Sequence, residues 1–296
     1  MEDMEMIETE MIETEMIGTK EKRTMPEEQL IDDAVSGSQV IEILEQLSPP
    51  CFAESWDNVG LLAGCRDQSV RKIYIALDAT DEVVDAAVQC QADFLLTHHP
   101  LIFSGMKKIN TDDFIGRRLV KLMANRISCY AMHTNFDVRG MAEAAARRMG
   151  LTEPEVLAVT YQDGEKKEGI GRYGQLPMEM TLAECAAYVR QKFSLDSVTV
   201  YGDRERRIRA AALCPGSGKS MVKAAVQAGA DVFITGDIGH HEGLDAMAQG
   251  LAVIDAGHYG LEKLFVPYLA EYLAGHFPQL EIITSEEKNP FWISVG

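Results

Sequence analysis

The sequence predicts an α/β protein made of two pseudo-repeated halves with mainly parallel sheets and a metal site between them. Three observations carry that expectation. First, short β-rich runs alternate with longer helical ones: IYIALDA at 73–79, a helix from Asp81 to about Gln91, FLLTHH at 94–99, a helix from about Phe114 to Asn125, and ISCYAMH at 127–133. A βαβαβ series selects a mainly parallel sheet with helices packed on it. Second, residues 83–97 (VVDAAVQCQADFLLT) align without a gap on 221–235 (MVKAAVQAGADVFIT), with eight of fifteen positions identical, as duplication would leave them. Third, LAVIDAGH at 251–258 matches ISCYAMH as an apolar strand that closes on a histidine. A carboxylate follows four residues after each, Asp137 after His133 and Glu262 after His258.

The elements follow in order. The chain of 296 residues opens with EMIETEMIETEMIG from Glu5 to Gly18, a five-residue repeat whose period fits neither helix nor strand. Residues 1–36 hold twelve acids and three bases, half of the formal net charge of −18, and read as a disordered acidic tail. Folded structure is expected from about Ser38, where Val40, Ile41, Ile43, Leu44 and Leu47 mark an amphipathic helix stopped by Pro49 and Pro50. The first α/β half, 37–152, closes with a helix from about Met141 to Met149 that ends at Gly150. Residues 153–207 read as a connecting region with a helix from Leu182 to Phe193 and strands near Ile170 and Val198. The second α/β half is 208–296.

Composition narrows the function. The body is acidic, with no basic patch beyond Arg204, Arg206, Arg207 and Arg209, which argues against a nucleic-acid partner. No apolar run approaches the length of a membrane span, and the acidic start lacks the features of a signal peptide. The expectation is a cytoplasmic protein without a membrane partner. Six cysteines form no CxxC pair and read as small buried hydrophobes.

Six of the seven histidines fall at strand ends: His98, His99, His133, His240, His241 and His258. Polar groups at the carboxyl ends of parallel strands line the crevice where α/β proteins bind ligands. His276 reads as a surface residue. Imidazole and carboxylate are ligands of zinc, iron and manganese, and the lack of paired cysteines argues against a cysteine-rich zinc site. Successive side chains of extended chain diverge, so His98 and His99 suit two ions better than one. His258 and Glu262, four apart at a helix start, share a face. Together His98, His99, Asp137, His258 and Glu262 exceed what one four-coordinate ion with an open position can use, and they suit two divalent ions sharing a carboxylate. Hydrolysis is the chemistry such a pair most readily supports. The rival readings are a non-catalytic metal-storing, metal-sensing or scaffold protein, and a single structural ion.

His133 and His241 are read as pocket groups that orient water or substrate. Thr97, Thr134 and Thr235 stand beside histidines and could hydrogen-bond ligand or backbone. Trp56, Asp57 and Asn58 form a turn-rich motif explained as well by turn formation as by function. PGSGKS at 215–220 resembles a nucleotide-binding loop, but Leu213 stands where its first glycine belongs. A weaker reading survives, with Ser217, Gly218 and Lys219 accepting a substrate anion.

The motifs WDNVGLLAG (56–64), LTHHPLIF (96–103), HTNFD (133–137), TGDIGHH (235–241) and AGHYGLEK (256–263) resemble those of the Nif-three-like dinuclear-metal-centre proteins, often named GTP cyclohydrolase 1 type 2 homologues. The resemblance covers about residues 38–296 and places the metal ligands on His98, His99, Asp137, His258 and Glu262. It implies a ring-shaped homohexamer with metal sites facing an internal cavity, and the cyclohydrolase name implies opening of the imidazole ring of GTP. Some members insert a further domain between the halves, and this chain looks like the short form.

Overall fold

The structure is a computed structural model that describes residues 34–286 and 288–294. Most of the expected acidic tail, residues 1–33, lies outside the described residues. From its start the described chain runs β1 (Val35–Ser36), α1 (Gly37–Leu47), β2 (Gly60–Ala63), β3 (Ser69–Val70), β4 (Lys72–Ala76), α2 (Asp81–Gln89), β5 (Phe94–Thr97), α3 (Phe114–Ala124), β6 (Ser128–Ala131), α4 (Thr134–Phe136) and α5 (Ala142–Met149). It continues through β7 (Thr152–Asp163), β8 (Lys166–Thr181), α6 (Leu182–Phe193), β9 (Thr199–Tyr201), β10 (Arg207–Ser217), α7 (Val222–Gln227), β11 (Val232–Gly236), α8 (His240–Ala248), β12 (Ala252–Asp255), α9 (His258–Glu262), α10 (Phe265–His276) and β13 (Glu281–Thr284).

Local chemistry sets the helix starts. Ser36 and Thr181 form capping boxes with Gln39 and Glu184, while Thr80 and Asp113 cap α2 and α3 by accepting from Val83 N and Gly116 N. Gly150, at φ 69°, ends α5 in the left-handed conformation. Order begins before the expected Ser38: β1 pairs antiparallel with β3, and Val35 is buried.

The strands form two larger sheets, in the orders β13-β4-β5-β6-β2 and β7-β8-β10-β11-β12-β9. Each has a parallel run: β13, β4, β5 and β6 in the first, with antiparallel pairing only at β2, and β10, β11 and β12 in the second, with antiparallel pairing at both flanks. Residues 153–207, expected to connect the halves, supply β7, β8 and β9 to the second sheet. The final strand, β13, crosses back to pair with β4 of the first sheet, so sheet membership does not follow the order of the chain.

Strand alternation sorts the core. Ile73, Ile75, Phe94, Leu96, Val232, Ile234 and Ile254 share one buried cluster with α1, α5, α6 and α10. Their neighbours face the other way. Tyr74, Leu95 and Cys129 pack on α2 and α3, and Ala212, Phe233 and Val253 pack on α7 and α8. With both faces covered, the central strands read as unbroken apolar runs. Each fully buried Ile, Leu or Phe contributes roughly 1.5–3 kcal/mol, so the layer between the sheets holds the strand ends rigidly. Cys129, Cys185 and Cys214 are buried as expected, whereas Cys51 and Cys65 are exposed and Cys90 is half-buried. No helix among the described residues is long and apolar enough to cross a membrane.

Candidate metal centre

His98 and His99 leave the end of β5, where both amides donate to the Leu77 carbonyl at 3.2 and 3.0 Å and Thr97 Oγ1 donates to the His99 carbonyl at 2.9 Å. Asp137 follows α4 at the start of an irregular turn, and Gly140 in that turn, at φ 155°, lies where a Cβ would meet the Phe136 ring at 2.3 Å. His258 and Glu262 open and close α9. The fold gathers these five side chains in one place.

They form two trios with one member in common. His98, Asp137 and Glu262 make one, His99, His258 and Glu262 the other, and in each the donor atoms lie within 4.8 Å of one another. His98 Nε2 is 3.6 Å from both Asp137 Oδ1 and Glu262 Oε1. Glu262 Oε2 is 3.1 Å from His99 Nε2 and 2.9 Å from His258 Nε2. Adjacent in sequence, His98 and His99 thus serve different trios, and Glu262 spans both. A third group joins His133 to His98 and His99.

Each imidazole is held from outside. His98 Nδ1 bonds the Met132 carbonyl at 2.7 Å, His99 Nδ1 bonds Asp78 Oδ1 at 2.7 Å, His258 Nδ1 bonds Asp237 Oδ2 at 2.7 Å, and His133 Nδ1 bonds Asp57 Oδ1 at 2.9 Å. Carbonyl and carboxylate oxygens accept, so Nδ1 carries a proton and Nε2 is the atom turned into the cluster. This outer support is what metal-ligating histidines use.

The chemistry of the donor set fits a cation. His98 Nε2 and Asp137 Oδ1 are buried with no hydrogen-bond partner, and the Nε2 atoms of His99 and His258 face each other at 3.2 Å. Native proteins rarely leave buried polar atoms unpaired, and positive charge within the two trios answers all of them. Without an ion, protons do part of this work. Burial opposes charge on His99, but hydrogen bonds to Asp78 and Glu262 outweigh it and lift the imidazole to about 10. The hydrogen bond to Glu262 lifts His258 to about 9 against its burial. Burial, with the charge of Glu262, pushes Asp137 up to about 7. Burial also opposes ionisation of Glu262, yet the surrounding imidazoles hold its carboxyl well below the usual range.

Other expected residues divide. His133 stands beside the trios, its ring 5.2 Å from that of His98 and 5.4 Å from that of His99. Thr134 does not face the cluster: its hydroxyl donates to Asp57 and accepts from Glu54 N. Thr97 and Thr235 are likewise buried and bond backbone carbonyls. His241 is exposed at the start of α8 and belongs to none of the donor groups found among the described residues. Ser217 and Lys219 are exposed, and Gly218 N donates to the Gly236 carbonyl at 3.3 Å. The glycines of this loop have a steric reason instead. A Cβ on Gly216, at φ +73°, would fall 2.2 Å from Glu262 Oε1, and one on Gly218 would fall 1.9 Å from Thr235 Oγ1.

Sequence reasoning missed Asp78 and Asp237 and left Asp57 undecided between turn and function. Their signal was position: Asp78 follows β4, and Asp237 follows the strand that repeats β5. Burial opposes ionisation of Asp57, but hydrogen bonds from His133 and Thr134 lower it to about 2.

Fold and site define a class: an α/β protein that gathers histidines and carboxylates from the carboxyl ends of strands in two sheets. Comparison with known proteins places the chain within it. Residues 35–290 match the model of the Duf34/NIF3 (NGG1p interacting factor 3) family, and the chain belongs to that family. It is 35% identical over 244 residues to the GTP cyclohydrolase 1 type 2 homolog of Clostridium acetobutylicum, covering 82% of this chain and 91% of that protein. A namesake from Clostridium perfringens is 33% identical, over 86% of this chain and 98% of that one. The crystal structure of a Bacillus cereus protein related to NIF3 superposes with a TM-score of 0.83 at 27% identity, covering 88% of this chain and 99% of that chain.

Proposed function

We infer that the cluster is a dinuclear metal centre and that the protein is a metal-dependent hydrolase of a nucleotide or another heterocyclic small molecule. The observation that carries the reading is Glu262, whose two oxygens reach separate sets of imidazoles. His98 and Asp137 would hold one ion with Glu262, and His99 and His258 the other. The donor types suit zinc, iron or manganese. Ions in such a pair supply Lewis acidity and lower the pKa of bound water.

The chain's own residues do the rest. Asp78 and Asp237 fix the orientation of His99 and His258. His133, held by Asp57 beside both strand-end histidines, is placed to hold or pass a proton at Nε2. A cleft of about 690 Å³ opens on His99 and His258, a size that admits a small molecule. The name carried by the clostridial relatives supports GTP as the first compound to try. Purified, metal-loaded protein should convert a member of a nucleotide and heterocycle panel, followed by chromatography. Turnover no greater than that of a His99→Ala, Glu262→Ala double variant would defeat the enzymatic reading. Complete burial of His98 favours a second reading for its trio, an ion held for storage or sensing rather than turnover. The homohexamer belongs to the same proposal and is checked by sedimentation.

A further inference from the structure

Beside His99 and His258 the cleft is walled by Phe103, Phe114 and Phe291, which stay 52%, 54% and 77% exposed. A single exposed ring needs no explanation, but three on one concavity beside a polar cluster mark a surface that takes a ligand. Phe103 stands near the donors: its ring is 6.0 Å from that of His133, which is 5.4 Å from that of His99. Trp56, 56% exposed, lies 5.8 Å from Phe103 with the planes tilted by 32°, and stands edge-on to His133 at 6.0 Å. The two rings are tied together, because Asn58 Nδ2 donates to the Ile102 carbonyl at 2.6 Å. Next to Trp56 in the chain, Asp57 anchors the same turn to His133 and Thr134. The Trp-Asp-Asn motif therefore holds an exposed indole at a fixed distance from an exposed phenyl at the edge of the site.

We propose that Trp56 and Phe103 are the recognition face for a planar heteroaromatic ring, whose polar edge meets the His99 and His258 end of the cleft. The inference rests on reading this cleft as the substrate site, and it names what the site reads. Aromatic faces stack on planar rings of many kinds. An aliphatic chain would strip water from the imidazoles and carboxylates and give nothing back. A heterocycle offers both a π face and polar edge atoms.

The test uses full-length protein as purified, with Trp292→Phe making Trp56 the one tryptophan of the chain. Titration with guanosine and with a pterin should change Trp56 emission saturably. Phe103→Ala should weaken binding about tenfold, while Phe103→Tyr retains it, with metal content by elemental analysis equal in all three proteins. The proposal is overturned if inorganic tripolyphosphate or octanoate produces the same change, if no heterocycle produces one, or if Phe103→Ala binds within twofold of the parent. Heterocycle binding without turnover supports this inference and defeats the hydrolase reading. Turnover of a non-aromatic substrate without a Trp56 response does the reverse.

Discussion

At the end of β5 the chain reads Thr97-His98-His99, and at the end of β11 it reads Thr235-Gly236-Asp237. The frames of these two strands match at both ends, the amino end first. Asp93 Oδ2 accepts from the amides of Arg71 and Lys72 at 2.8 and 3.0 Å, and Asp231 Oδ2 accepts from those of Arg209 and Ala210, both at 2.9 Å. Met132 N donates to the Thr97 carbonyl at 3.0 Å, and Ala256 N to the Thr235 carbonyl at 2.7 Å. What stands on the frames differs. The first end delivers two ring nitrogens, one to each trio. The second delivers none, since a Cβ on Gly236 would fall 2.6 Å from His258 N and Asp237 is committed to His258 Nδ1. Repetition of the scaffold thus permitted division of labour: one copy supplies a histidine pair, the other a support that orients a histidine arriving from the next strand.

The largest test of that division is Glu262→Gln. Because both trios use this carboxylate, elemental analysis should find both ions lost, whereas His258→Ala should leave the His98 trio loaded. Equal loss in the two variants would mean the trios are not separate sites. Next comes pH. His99 and His258 are lifted from 6.5 to about 10 and about 9, so in metal-stripped protein both are protonated at neutral pH. Their contribution to stability is complete below the ordinary histidine value and disappears as the pH rises through about 9 and 10. An ion must displace those protons, so affinity should climb about tenfold per pH unit for each one until those values are passed. A flat profile between pH 7 and 9 in a chelator competition titration would refute the protonation assigned to the pair.

Smaller effects sharpen the comparison. Asp237→Asn should weaken the His99–His258 position by about 10–100-fold and leave the His98 position alone, as read by calorimetric metal titration. Asp78→Asn should do the same through His99. The smallest effect is on the frame itself: Asp93→Ala and Asp231→Ala should each cost about 1 kcal/mol by chemical denaturation. A large inequality between them would show that the frames, too, have diverged.

The sequence by itself determined the α/β class, and it carries in view the internal repeat and the five side chains that the fold gathers, because each is written locally. Unbroken apolar runs bounded by turns make buried strands, and histidines at their ends stand out against an apolar background. Spacing alone separated His98 from His99 and aligned His258 with Glu262. The tertiary structure decided what depends on distant segments. Nothing local marks Glu281–Thr284 as a partner of β4, some 200 residues upstream, since a short edge strand carries no address. Asp57, Asp78 and Asp237 look like any acid in a turn until a histidine from another segment arrives within hydrogen-bonding distance. His241 and His258 both follow strands, but α8 presents one to solvent while α9 presents the other to Glu262. Backbone direction after a strand is set by packing between the sheets, and composition does not record it.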